Sequence, residues 1–363
     1  MKIKSSAPGR ICLFGEHQDY LGFPVIAAAI DLRINIDGDV SEGDVLHLDL
    51  PDLKKTLEFP STNIRYTDSK DYLKSAVNVI KKMGLYTPKT IQATVRGNVP
   101  IQAGTSSSAA LSVAWTGFLL KASGNDVSAF FEDPSMIAEL AYQAEVQEFN
   151  ESGGRMDQYT SAIGGIVYLD FHGEMTTTPL PIALKEFVLG DSCVAKDTQK
   201  TLKRVRTAQE HGFKELENYI SFNDNFHVSA AEAEPFLNKV PSDIRPYLRA
   251  ALMNHQITDE AKAELLKESP NVARIADLMN RHHGYLRDNL GVSHPKIEQM
   301  IEKSLAAGAL AAKINGSGEG GCMFAFCPGK QEAVAEAIRE AGGVPYIINI
   351  GKGLETVISD MGK

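Results

Sequence analysis

The segment Pro100-Ile101-Gln102-Ala103-Gly104-Thr105-Ser106-Ser107-Ser108-Ala109-Ala110 constrains this chain more than any other. It follows an alternating strand pattern, Ile91 to Arg96, and runs straight into apolar residues at helical spacing from Ala109 to Leu120. A strand–loop–helix with a glycine and four consecutive hydroxyls at its hinge makes an anion site. Small residues let the backbone approach, and the helix start points free N–H groups and a positive dipole outward. One serine would cap the helix; four hydroxyl residues exceed what capping requires. No Gly-Lys-Ser/Thr closes the segment, so it is not a Walker A loop.

Two further glycine-bearing segments accompany it. Near the start, Pro8-Gly9-Arg10 leads through an apolar run to Gly15-Glu16-His17-Gln18-Asp19-Tyr20. Glu16, His17 and Asp19 offer acceptors and a switchable donor that suit a polyhydroxylated ligand; the plain alternative is a polar surface turn. Metal ligation by His17 is disfavoured, because no second histidine stands at ligand spacing. Far along the chain, Asn315-Gly316-Ser317-Gly318-Glu319-Gly320-Gly321-Cys322 contains a formal G-x-G-x-x-G. Cys322 to Phe326 reads as a strand, not the helix a dinucleotide fold requires, so this is a glycine-rich turn packed on a ligand or another loop. Between these segments, Gly153-Gly154-Arg155-Met156-Asp157-Gln158 presents Asp157 as a general base or a structural turn residue. Glu145, twelve positions earlier on a predicted helix, is either a cation ligand or a surface glutamate.

Composition closes off several classes. Lys and Arg number 37 against 46 Asp and Glu, a net charge of −9, so a nucleic-acid backbone or an anionic membrane is a poor principal partner. The basic cluster Lys196, Lys200, Lys203, Arg204 and Arg206 reads as a solvated helix face, with contact to an acidic sugar as the alternative for one cation. Val25 to Ile30 is far short of the ~20 apolar residues of a membrane span, and Met1 to Arg10 lacks a signal-peptide core. Cys12, Cys193, Cys322 and Cys327 form no metal or redox spacing, so a cytoplasmic protein with reduced thiols is expected. Helices are predicted over Tyr72–Met83, Ser135–Phe149, Gln199–Tyr219, Val272–Leu290, Pro295–Ala307 and Gln331–Ala341. Strands are predicted over Arg33–Asp37, Gly165–Leu169, Leu310–Ile314 and Tyr346–Ile350. At 363 residues, the pattern divides into two α+β domains, 1–185 and 186–363.

Taken in order, the four segments resemble those of the GHMP kinases and, within them, the galactokinase branch. The resemblance implies a ribosomal protein S5 domain 2-like N-terminal domain and a ferredoxin-like C-terminal domain, with ATP and a sugar meeting between them. Arg10 and Asp157 match the family's catalytic pair, and Glu16, His17, Asp19 and Gly154 its sugar contacts. Gly104, Thr105, Ser106, Ser107 and Ser108 match the phosphate loop, Gly316 and Gly318 the C-terminal glycine motif, and Ser108 with Glu145 the Mg2+ ligands. The implied reaction is ATP-dependent phosphorylation of the anomeric hydroxyl of galactose or a related monosaccharide. Its alternatives are a mevalonate-type kinase, a branch that usually has lysine where Arg10 stands, and a catalytically idle sugar or nucleotide sensor. The sequence departs from the galactokinase pattern at Gln102, at Leu21-Gly22-Phe23, at Arg155, and in having no tyrosine over residues 191–206. These departures bear on which sugar is used, not on the kinase chemistry.

Overall fold

The computed structural model describes residues 1–359 other than 69, 102 and 183; the expected departure at Gln102 lies outside the described residues. Alternating apolar and polar residues build the larger of two sheets. Its strands are β1 (Lys2–Phe14), β2 (Val25–Ser41), β3 (Val45–Leu50), β4 (Lys55–Pro60), β5 (Thr90–Gly97), β6 (Ile166–Asp170), β7 (Thr176–Leu180) and, from far along the chain, β12 (Glu355–Ser359). The order is β12-β1-β2-β5-β3-β4, with β6 joining β2 to β7. Helices α1 (Tyr72–Lys82), α2 (Ser107–Ala122), α3 (Ser128–Glu132), α4 (Pro134–Tyr142) and α5 (Met156–Ile163) accompany it. The helix α2 packs on β1 and β2, with α1, α4 and α5 against it, and is therefore apolar almost all round.

The smaller sheet is antiparallel, in the order β11-β8-β10-β9: β8 (Phe187–Asp191), β9 (Ala311–Ile314), β10 (Cys322–Phe326) and β11 (Val344–Ile348). It carries α6 (Thr198–Leu216), α7 (Ala230–Ala233), α8 (Arg245–Leu265), α9 (Val272–Asp288), α10 (Pro295–Ala306) and α11 (Gln331–Glu340). The α+β expectation therefore holds.

One apolar cluster crosses from sheet to sheet. Ile11, Leu13 and Phe14 of β1 meet Phe187 and Leu189 of β8, Phe324 of β10 and Met279 of α9. This explains the burial along β1. Residues 2–6 alternate between faces, whereas every residue from Ala7 to Phe14 is buried, covered by α2 on one side and the second domain on the other. A register shift between Pro8 and Arg10 re-aims the strand where Arg10 leaves it.

Two sequence expectations need correction. The change of sheet does fall between Leu180 and Phe187, but the division 1–185 and 186–363 fails at its far end, because β12 rejoins the first domain by pairing with β1. The single helix expected over Ser135–Phe149 is instead α4 followed by a π-helical stretch, Gln143–Gln147. The 21-residue α8 has no counterpart among the sequence expectations, although its buried Leu248, Leu252, Ile257, Ala261 and Leu265 carry helical spacing. Among the described residues no helix is long and apolar enough to cross a membrane. All four cysteines are free thiols, with only Cys193 exposed.

Candidate active site

A cleft of about 980 Å³ opens where the two domains meet, lined by Arg10, Asp19, Ser106 to Ser108, Glu145, Asp157, Lys196 and Gly316. The residues arrive there for local reasons. Arg10 follows the β1 register shift, Asp157 stands in the first turn of α5, and Glu145 is carried inward by the π-helical stretch.

Arg10 and Asp157 form the centre. Arg10 Nε and Nη2 each lie 2.8 Å from Asp157 Oδ1, and Nη1 donates to the Gly104 carbonyl at 2.6 Å. The other carboxylate oxygen, Oδ2, accepts from the Ser106 hydroxyl at 2.6 Å. The Arg10 side chain is 5% exposed, while that of Asp157 is 32% exposed. The guanidinium is thus a buried brace, and the carboxylate is the partner that a ligand can reach.

Ser106 is a contact that the sequence did not announce. It occupies the N-cap of α2 in left-handed backbone, φ 60°, yet its side chain caps nothing. Its hydroxyl goes to Asp157, so the first N–H groups of α2 remain available to an anion. The over-capping alternative is therefore absent at this helix. Thr105 takes a supporting role: its hydroxyl holds the Pro100 carbonyl at 3.0 Å and its own carbonyl accepts from the Arg10 N–H at 3.1 Å. It lies fully buried behind the loop and is not a wall of the cleft.

Asp19 faces Asp157 from the first motif. A Cβ added to Gly154 would lie 1.9 Å from Asp19 Oδ2, so only glycine leaves room for this carboxylate. Burial, then the charge of Asp157, raises the Asp19 carboxyl to about 6. No cation within salt-bridge distance offsets it among the described residues; the Tyr20 N–H donates to Oδ1 at 3.0 Å. Glu145 is in a similar condition. Burial raises it to about 7 even though the Ser108 hydroxyl and Gln158 amide both bond it, the latter at 2.8 Å.

Glu16 and His17 also line the cleft, and both are held by bonds to the second domain. The Glu16 side chain is 1% exposed and its carboxylate pairs with Lys313 of β9, which also donates to the Cys12 and Ile314 carbonyls at 3.0 and 3.1 Å. Its second oxygen lies 3.5 Å from His282 Nδ1 on α9, while His282 Nε2 accepts from the Gly15 N–H. Glu16 thus reaches the cleft wall with its carboxylate held by Lys313 at the domain junction. The His17 ring donates from Nε2 to the Ser317 carbonyl at 3.0 Å, with Nδ1 3.1 Å from the Tyr20 hydroxyl. Burial lowers its pKa to about 4, so the ring is neutral at ordinary pH.

The third motif acts as backbone packing. Asn315 links it to the other two: Oδ1 accepts from the Cys12 N–H at 2.9 Å and Nδ2 donates to the Gly104 carbonyl at 2.9 Å. Gly316 has φ 76°, and a Cβ there would lie 3.0 Å from the Gly104 carbonyl. Gly318 is expected at the cofactor, but its Cα packs on the Val292 carbonyl, 2.1 Å from where a Cβ would be, outside the cleft wall.

The remaining departures have structural partners. Arg155 pairs with Glu139 at 3.0 Å and stacks over Tyr142. In the basic cluster, Lys200, Lys203, Arg204 and Arg206 lie on the solvated face of α6 as expected, with Arg204 bonded to Glu319 and Tyr247 and Arg206 to Glu210. Lys196 is not on the helix face at all. Its Nζ is shielded from solvent, beside Gly104.

Residues 71–165 match the GHMP kinases N terminal domain, 261–344 the GHMP kinases C terminal, and 3–36 the galactokinase galactose-binding signature. Mevalonate kinase of Pyrococcus furiosus is 30% identical over 365 residues, covering 97% of each chain. Galactokinase of Haemophilus influenzae is 28% identical over 93% of this chain and 89% of its own. The fold superposes on the crystal structure of Lactococcus lactis galactokinase complexed with galactose with a TM-score of 0.82 at 21% identity, covering 98% and 95% of the two chains. These matches lie on the same segments that build the cleft, and the chain belongs to the GHMP kinases.

Proposed function

We propose that this protein is an ATP-dependent kinase acting on the anomeric hydroxyl of galactose or a closely related neutral sugar. The observation that carries this reading is the pairing of Asp19 with Asp157 at the acceptor end of the cleft. Two carboxylates there, one lacking a cationic partner, favour a ligand that donates hydroxyl hydrogens and repel one that brings a carboxylate of its own. The match to the galactose-binding signature over residues 3–36 supports the same assignment.

In this mechanism the N–H groups at the start of α2 and the backbone of Gly104 to Ser108 hold the phosphates. Ser108 and Glu145 offer one hydroxyl and one buried carboxylate oxygen, a donor set that fits magnesium. When bound, the ion supplies charge to offset the phosphates. Asp157 Oδ2 releases the Ser106 hydroxyl and takes the proton of the sugar hydroxyl. The sugar oxygen bonds to the γ-phosphorus as the bond from phosphorus to the bridging oxygen breaks, and ADP leaves. Arg10 holds the Asp157 carboxyl aligned and offsets the negative charge that develops during transfer.

The test is ADP release across galactose, arabinose, galacturonate and mevalonate, with phosphorus NMR to locate the new ester. Galactose or arabinose with an anomeric phosphate is the expected result. A second reading, a mevalonate-type kinase, is favoured by the 30% identity to the Pyrococcus furiosus enzyme across almost the whole chain. Preferred turnover of mevalonate would replace the first reading with the second. Sugar binding without turnover at any magnesium concentration would leave an idle sensor.

A further inference from the structure

Lys196 stands between β8 and α6, where the sequence suggested a solvated basic face. Its Nζ is instead buried, and no hydrogen-bond acceptor reaches it among the described residues. The stem runs between two glycine-rich loops. A Cβ on Gly104 would fall 2.6 Å from Nζ, one on Gly321 3.2 Å from Cε, and one on Gly320 3.3 Å from the lysine Cβ. Side chains at these three positions would close the path, so the glycines of two motifs make the channel that brings an ammonium to the phosphate loop. Its neighbours in the cleft include Arg10 and Asp157, and the Asp157 charge is already bonded to Arg10.

An ammonium that is out of water and has no partner is costly to the folded protein. Burial, then repulsion from Arg10, lowers its pKa to about 8, and it still carries charge at neutrality. Two cations and a helix start therefore converge on one loop with one carboxylate between them. The missing partner is an anion. Resting on the kinase reading above, we propose that Lys196 is a further catalytic residue, contacting the γ-phosphoryl group of the bound nucleotide and following it to the acceptor. The transferred group fits better than an acceptor carboxylate because the ammonium is seated on Gly104 and Gly321, whereas Asp19 is seated on Gly154. The position supplies the charge that a Walker lysine gives in other nucleotide sites.

The experiment compares Lys196→Met and Lys196→Arg with the unaltered protein. Binding of magnesium AMP-PNP and magnesium ADP is measured by calorimetry, with Tm of the free protein alongside. Loss of a charged hydrogen bond predicts AMP-PNP binding about tenfold weaker or more in Lys196→Met. ADP binding should stay within about twofold, and Lys196→Arg should recover part of the loss. Tm should rise in Lys196→Met, because an unpaired buried charge is removed; a lysine with only a structural role would lower it. Equal weakening for both nucleotides, or a fall in Tm, would overturn the inference and leave a loop-supporting residue. Unchanged AMP-PNP binding with a raised KM for galacturonate or mevalonate would overturn it in favour of an acceptor carboxylate. If the unaltered protein bound neither nucleotide, the kinase reading itself would fall and the inference with it.

Discussion

Two buried clusters of charge adjoin the second half of β1, and they are built on opposite terms. Just past Phe14, Glu16, Lys313 and His282 sit at 0–1% side-chain exposure; all three Lys313 donors are used, and the groups come from both domains. Around Arg10, by contrast, Asp19, Glu145 and Lys196 are left with charge that the protein does not neutralise. In the first cluster the ammonium has all its partners inside and ties the domain junction together, with Glu16 Oε2 and His282 Nδ1 left facing each other at 3.5 Å. A cluster lacking such partners is strained until a ligand arrives, and stability is given up there for function.

The comparison can be broken most sharply at Asp157. Asp157→Asn should lower turnover by roughly 10²–10⁴-fold in ADP release while the protein still folds, with a lower Tm because Arg10 loses its charged partner. Next in size, Lys313→Met should destabilise the protein by about 3–5 kcal/mol in denaturant unfolding, since Glu16 is left charged without its partner. The double variant Lys313→Met with Glu16→Leu should recover much of that loss. A double variant no better than the single one would mean that packing, not charge, governs the junction.

Gly154→Ala should weaken the acceptor side through displacement of Asp19, raising KM for sugar about tenfold with nucleotide affinity unchanged. The smallest effect is on stability alone. The Asp19 carboxyl is raised to about 6, so the folded state binds its proton more tightly than the unfolded chain does. The associated stability is present below the usual carboxylate pKa and is lost as pH rises through about 6. Asp19→Asn should therefore raise Tm above pH 6 and change it little near pH 4; a gain at the acid end instead would reverse this account of Asp19.

What the sequence made legible follows from contact range. Arg10, Asp157 and the loop Gly104 to Ser108 stand in segments whose local pattern already suggests anion binding, and the structure brings them together. Glu16 could not be separated from Asp19 on sequence, because Lys313 lies 297 positions away and leaves no local mark. Ser106 looked like one hydroxyl among four; its bond to Asp157 spans 51 positions. Lys196 looked solvated because its neighbours on α6 are basic, while the glycines that shelter it belong to two distant turns. Most helices were visible from periodicity, whereas the hairpin β3–β4 and the strand β8 carry too few residues to be distinctive.

The strand β12 has a consequence for the order of folding. Ser5 and Thr356 hydrogen-bond to each other at 2.8 Å although 351 positions separate them. On the ribosome, β1 must wait with one edge open until almost all the rest of the chain, the entire second domain included, has been made. A nascent first domain is thus an unsealed sheet, and the arginine that braces the catalytic aspartate hangs on the very strand being sealed. Synthesis that stops before residue 355 would leave every motif of the cleft in place on a template with its edge exposed.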